Sequence, residues 1–318
     1  MNRLIGRLLL QRFFAALATL WFVATAVFVI TTLLPGDVAQ ELLGQSATPE
    51  AVAGLRTALG LDVPLLQRYG TWLGNMLTGD PGKSLVNGMP VASLIGSRLG
   101  NSLLLAGVTA TIAVPIALLL GIAAAVTRGS LLDRSIGAGT ILIVSVPEFL
   151  VASAAVLLFA VHLKWLPALS QFGRINSAWD FARVFALPVL TLSCVIIAQM
   201  ARMTRAALID ALSSSYVETA VLKGASPARI ILYHALPNTI GPIANAIAFS
   251  LSFLLGGVII VETIFNYPGI AKLMVDGVAT RDLPLVQACA MLFCGAYLIL
   301  VTCADIAAII ANPRLRVQ

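Results

Sequence analysis

The chain has 318 residues, 59% of them hydrophobic and only 11% charged, with a formal net charge of +6 and a mean hydropathy of +0.97. A soluble domain is about 45–50% apolar and about 25% charged. The composition therefore argues against a soluble enzyme, a disordered chain, a nucleic-acid binder and a disulfide-stapled secreted domain, and leaves an all-α protein that crosses a membrane several times.

Arg3, Arg7 and Arg12 precede the charge-free 22-residue run Phe13–Leu34. A bilayer core needs about 20 mostly apolar residues in a helix, so this run reads as a first span. Ala24-Thr25-Ala26 resembles a signal-peptide cleavage site, but the apolar run exceeds the usual core of about 7–15 residues and continues past it. A hydrophilic segment follows, from 35 to 99. Thr48-Pro49 sets an N-cap residue before a proline at the first helical position and opens a short helix that ends near Gly60. A second helix starts after Asp62-Val63-Pro64, with Leu65, Leu66, Tyr69, Trp72, Leu73 and Met76 on one stripe. The segment reads as a small helical subdomain rather than a linker. Gly82-Lys83-Ser84 looks like the end of a phosphate-binding loop, but the position that motif requires to be glycine is Leu77 and a helix precedes it.

Five further apolar segments are long enough to span: Gly100–Val126, Ile136–Val161, Val184–Ala201, Ile240–Val261 and Val286–Ile310. Six spans put both termini on one side. With the termini cytosolic, that face carries eleven of the 20 basic residues against the acids Asp133, Asp210 and Glu218, while the outer face has basic and acidic residues in near balance. This satisfies the positive-inside rule. The expected organisation is 1–34 as N-terminus and first span, 35–99 as an outer helical segment, and 100–318 as a five-helix core with a cytosolic loop at 202–238. Cys194, Cys289, Cys294 and Cys303 all lie in apolar segments without metal spacing and read as small buried hydrophobes.

The loop from Arg202 to Asn238 holds the clearest local signals. Ser215-Tyr216-Val217-Glu218 has the form of a capping box, and Gly224 after Lys223 fits a left-handed C′ position. They bracket a helix over Tyr216–Lys223 with Val217, Ala220 and Val221 on one face. Ser226-Pro227 starts a second short helix, which Leu236-Pro237 ends. A short helix is unstable alone, so its apolar face needs a partner: either its own bundle or a groove on another subunit.

The run Tyr216-Val217-Glu218-Thr219-Ala220-Val221-Leu222-Lys223-Gly224, with His234-Ala235-Leu236-Pro237-Asn238 after it, resembles the coupling loop of bacterial ABC importer permeases of the dipeptide/oligopeptide/nickel type. Thr219 and His234 depart from the general pattern in the manner of that subfamily. The resemblance extends to Leu34-Pro35-Gly36-Asp37, Leu59-Gly60-Leu61-Asp62, Gly79–Ser84, Arg98 with Asn101–Ala106, Glu262-Thr263-Ile264-Phe265 and Asn312-Pro313-Arg314-Leu315-Arg316, and so covers essentially the whole chain. It implies a type I permease fold in the bacterial inner membrane. It also implies a second homologous permease, two ATPase subunits that bind ATP and Mg, and a periplasmic substrate-binding protein, with no cofactor in this chain. Tyr216, Val217, Glu218, Thr219, Ala220, Val221, Lys223 and Gly224 then form the coupling helix that sits on an ATPase.

Among polar residues in the spans, Glu148 lies about halfway along the third, after Pro147; it is a wall of the translocation path, meeting a peptide amine, or half of a structural pair, or it sits shallower because Pro147 bends the helix. Gln199 and Asn245 join it as path candidates, with hydrogen bonding between helices as their commoner role. Tyr69 and Trp72 are candidates for contact with the binding protein, or part of a lid packed on the bundle. A gradient-driven secondary transporter or channel is the alternative function. It calls for paired buried charges in two repeated halves, and neither is visible in the sequence.

Overall fold

The structure is a computed structural model that describes residues 2–33, 38–43, 47–58, 60–170 and 177–311. Leu34-Pro35-Gly36-Asp37, Leu59, Arg174 and Asn312-Pro313-Arg314-Leu315-Arg316 lie outside the described residues. Within the described residues the regular elements are helices, apart from one isolated bridge between Lys83 and Pro90. In order they are α1 (Asn2–Thr32), α2 (Val38–Leu43), α3 (Pro49–Ala58), α4 (Leu65–Thr78), α5 (Val91–Val126), α6 (Leu131–Ser145), α7 (Glu148–Ala155), α8 (Ala178–Leu212), α9 (Ser215–Leu222), α10 (Pro227–Arg229), α11 (Leu236–Ile264), α12 (Ile270–Ala279) and α13 (Leu283–Ala311). Two π-helical stretches, Val156–His162 and Ile230–Ala235, extend α7 and join α10 to α11.

Leu10–Thr32, Val91–Val126, Ala178–Leu212, Pro227–Ile264 and Leu283–Ile306 are each long and apolar enough to cross a membrane. The third expected span, Ile136–Val161, is not one helix. It breaks between Ser145 and Glu148, where the two arms bend by 99°, and the count is six only if this pair crosses as one span. The cause is Pro147, which has no N–H to give and forces the preceding residue out of the helical region; Val146 is extended at φ −94°, ψ 126°. The opposite error occurs at Leu236-Pro237. The helix does not stop there, because the π-helical stretch resets the hydrogen-bond register ahead of Pro237 and the chain runs on to Ile264. On α4, Leu65 and Leu66 fall outside the packed stripe, and Leu66 is 86% exposed.

The chain divides into two units. The first comprises Met1–Phe14, Leu103–Tyr267 and Tyr297–Gln318. Its centre is α8, whose most apolar window is 67% buried while those of the other long helices are 11–33% buried. Leu187, Leu192, Ile196, Met200 and Leu208 of α8 are fully enclosed, and α6, α7 and α11 pack around it. Helices at membrane depth associate through small residues that let backbones approach. Gly121 of α5 does this: a Cβ there would sit 2.7 Å from the Ala201 carbonyl oxygen and the Thr204 Cβ.

The second unit comprises Ala15–Ser102 and Pro268–Ala296. Its core joins Val91 and Ile95 of α5 to Ile270 and Leu273 of α12 and to Leu285, Ala288 and Cys289 of α13. Polar ties reinforce it. The Asp282 carboxylate accepts from the Ser84 hydroxyl and from the Leu85 N–H at 3.1 Å. Asn101 donates to the Pro268 carbonyl at 2.8 Å, and Ser102 accepts from the Ile270 N–H at 2.8 Å. Ser84, the last residue of the false phosphate motif, is thus a buried structural hydroxyl.

Candidate functional site: the helix after α8

α8 ends at Leu212, and after two intervening residues α9 begins at Ser215. The N-cap is Ser214, in extended conformation, and not Ser215. The expected capping box does not form, because the Ser214 hydroxyl donates back to the Ala211 carbonyl at 2.5 Å and no side chain caps α9. Its C-terminus follows the sequence closely. Gly224 is left-handed at φ +79°. The Gly224 N–H bonds to the Val221 carbonyl at 2.9 Å, and the Ala225 N–H bonds to Ala220 at 3.1 Å. That pair of bonds is a Schellman cap. A Cβ on Gly224 would meet nothing within 4 Å, so only the backbone conformation, not space in this chain, requires glycine there.

The helix has two apolar faces. Val217 (4% exposed) and Ala220 (7%) turn inward, and α9 packs against α8 and the π-helical stretch Ile230–Ala235. Val221, expected beside them, points outward with Tyr216 and Leu222, the last 83% exposed. Leu232 and Tyr233 of the π-helical stretch are also exposed. Glu218, Thr219 and Lys223 face solvent. The helix is thus anchored on one face and leaves Tyr216, Val221 and Leu222 exposed on the other, an apolar surface of a kind that can meet another protein or a membrane.

The path candidates are not gathered in one place. Glu148 is the first residue of α7, half-buried, with its carboxylate against Gly257 of α11; a Cβ on Gly257 would lie 2.7 Å from Glu148 Oε1. Among the described residues no hydrogen bond or ion pair reaches that carboxylate. Asn245 is exposed on α11, twelve residues before Gly257 and so about 18 Å away along the axis. Gln199 is half-buried on α8.

In the second unit, Tyr69 and Trp72 hold α4 to α1. Their rings pack on Phe28 at centroid distances of 5.2 and 5.4 Å. The Tyr69 hydroxyl donates to Thr25 Oγ1 at 2.7 Å, since the Thr25 proton is committed to the Trp21 carbonyl. A cavity of about 450 Å³ lies on the polar side of α4, with Arg68, Asn75, Asp80 and Gln287 among its walls. The sequence reading missed this cavity and the tie of Ser84 to Asp282. Neither has a local signature, because each joins residues some 200 positions apart.

Two families match the chain. One, described as binding-protein-dependent transport system inner membrane component, covers residues 117–317, and the corresponding N-terminal family covers 5–106. A probable peptide ABC transporter permease protein of Sinorhizobium fredii is 34% identical over 98% of this chain and 99% of its own length. The glutathione transport system permease protein GsiC of Escherichia coli K12 is 35% identical over 96% of this chain and 98% of its own. Among solved structures, a chain of the MetNI methionine ABC transporter in an inward-facing form has a similar fold. It aligns at TM-score 0.51 and 17% identity, covering 70% of this chain and 95% of that one.

Proposed function

The chain belongs to the family of inner membrane components of binding-protein-dependent transport systems and is a permease subunit of an ABC importer; from that premise we propose how it is driven and what it carries. The segment Arg202–Asn238, which runs from the last turns of α8 through α9 to the first residues of α11, faces the cytosol, together with both termini. α9 is the coupling helix. Its outer apolar side, Tyr216, Val221 and Leu222 with Gly224 at the tip, inserts into a cleft on a partner ATPase, which holds ATP and Mg and does the hydrolysis. Closure of two such ATPases is transmitted through the anchored inner side, Val217 and Ala220, to α8. A second homologous permease completes the path, and a periplasmic binding protein delivers cargo on the side of α4, beside Tyr69 and Trp72. The similarity to a peptide permease and a glutathione permease supports a short peptide as cargo.

The observation that carries this reading is the two-faced α9. Leu222 is 83% exposed on the side away from the anchored Val217 and Ala220, which leaves an apolar side of α9 open to a partner. Transport and ATPase sites then share one two-state element. The test is to purify the chain in mild detergent and identify what accompanies it. We expect a second permease and two ATPase chains, with ATP hydrolysis that rises when binding protein and ligand are added. A stable assembly of this chain alone, with no ATPase, would overturn the reading.

A further inference from the structure

A charge pair, its carboxylate enclosed and its guanidinium about one-third exposed, sits beside the root of α9. Arg205 of α8 meets Asp133 of α6 with two parallel bonds, Nε to Oδ1 at 2.6 Å and Nη2 to Oδ2 at 2.9 Å. The Asp133 side chain is only 7% exposed. Its Oδ2 also accepts from the Gly129 N–H at 2.9 Å, and its own N–H is capped by the Ser130 hydroxyl at 3.2 Å. One carboxylate therefore fixes the turn between α5 and α6 and fastens that turn to α8. One helical turn further along α8, Leu208 is fully buried with Ala125 of α5 and Ala235 of the π-helical stretch. α9 begins ten residues after Arg205 and leans on α8 and that same stretch.

A bidentate guanidinium–carboxylate bond resists shear in a way that a layer of apolar contacts does not, because its geometry is fixed in two directions. The apolar contacts here could slide; the pair cannot without breaking. We propose that Asp133 and Arg205 are positioning residues for coupling: they make the α5–α6 turn and the start of α6 move with α8 and α9 as one body. A push on α9 is then delivered to the α6–α7 hinge at Val146-Pro147 instead of being lost in bending of α8. This inference rests on the reading of α9 as the ATPase-docking helix.

The experiment uses the whole importer in liposomes with its binding protein and a peptide substrate, measuring substrate moved per ATP hydrolysed. In Asp133→Asn and Arg205→Gln the stimulated ATPase persists while the ratio falls at least about fivefold, the lower end of a typical coupling free energy. A pair with a merely structural role would lower the amount of complex and both rates together, leaving the ratio unchanged; that result overturns the proposal. A second arm places Asp133→Cys and Arg205→Cys in a chain whose four native cysteines are replaced by alanine. Joining the two thiols with a short bismaleimide restores the ratio if a mechanical tie is what matters, and failure to restore it contradicts the proposal. A wild-type complex whose ATPase ignores the binding protein would instead remove the reading beneath this inference, and the inference with it.

Discussion

Gly224 shows how much of the site one residue can declare. A glycine after a helical run, with lysine before it, announces a left-handed cap, and the backbone adopts it at φ +79°. Because an added Cβ meets nothing in this chain, the fold tolerates size there, and the left-handed backbone costs about 1 kcal/mol for alanine. Gly224→Ala is thus expected to leave membrane abundance and most uptake intact. Gly224→Trp is expected to leave abundance intact and abolish uptake, since in the proposed docking an ATPase occupies that space. Uptake assays with quantitative blots check both, and normal uptake with the tryptophan would contradict docking at this tip. The N-terminus of α9 was less legible. Ser213, Ser214 and Ser215 are all chemically able to cap, and the choice depends on where α8 stops. Elsewhere the left-handed caps are marked less plainly: Asn266 at φ +48° follows α11, where asparagine is the second choice after glycine, and Arg281 at φ +54° follows α12 with no such mark. The cap at Arg281 returns the Asp282 N–H to the Gly277 carbonyl at 2.8 Å and delivers Asp282 to its buried place. No glycine marked that turn, and α12 was missed.

At the scale of elements, the long helices were readable because 3.6-residue periodicity matters little when lipid surrounds a helix; length and apolarity suffice. Prolines were harder. Pro115, Pro188 and Pro242 lie inside continuous helices and Pro237 lies at the entry of one, whereas Pro147 breaks an expected span. The difference lies in what surrounds each carbonyl that loses its donor, which the local sequence does not encode. The break at Pro147 has a chemical result. It puts Glu148 at the head of α7, where the positive end of the helix favours a carboxylate, and against the bare backbone of Gly257. A carboxylate between apolar helices, with no hydrogen bond or ion pair among the described residues, suits a cationic group that passes by. Glu148→Gln is expected to slow uptake of peptides with a free amino terminus relative to N-acetylated ones, measured by competition in vesicles. Equal rates and an unchanged substrate range would remove Glu148 from the path.

At the scale of the whole molecule, the pattern of apolar runs and basic loops was enough to reach a multi-spanning membrane protein, and the resemblance of one short loop, with further motifs along the chain, was enough to reach the family. What the pattern could not reach was the pairing of distant segments. Residues 15–102 and 268–296 build one unit through Ser84 with Asp282, Asn101 with Pro268 and Gln287 with Thr31. These bonds follow from the assembled fold, and a single sequence holds no record of them. The same is true of Arg205 with Asp133, two charges 72 positions apart that look like ordinary loop residues when read along the chain. In the proposed mechanism this molecule is one half of a machine whose drive enters through a surface no larger than α9 and the π-helical stretch beside it. That claim is tested most directly by placing Leu222→Cys in the importer, in a chain without native cysteines, and adding a short thiol-reactive photocrosslinker in native membranes. We predict one dominant product joining this chain to an ATPase subunit, diminished when ATP is added and the ATPase pair closes. Cross-linking only within the chain or to lipid, with no ATPase adduct in either condition, would contradict the account.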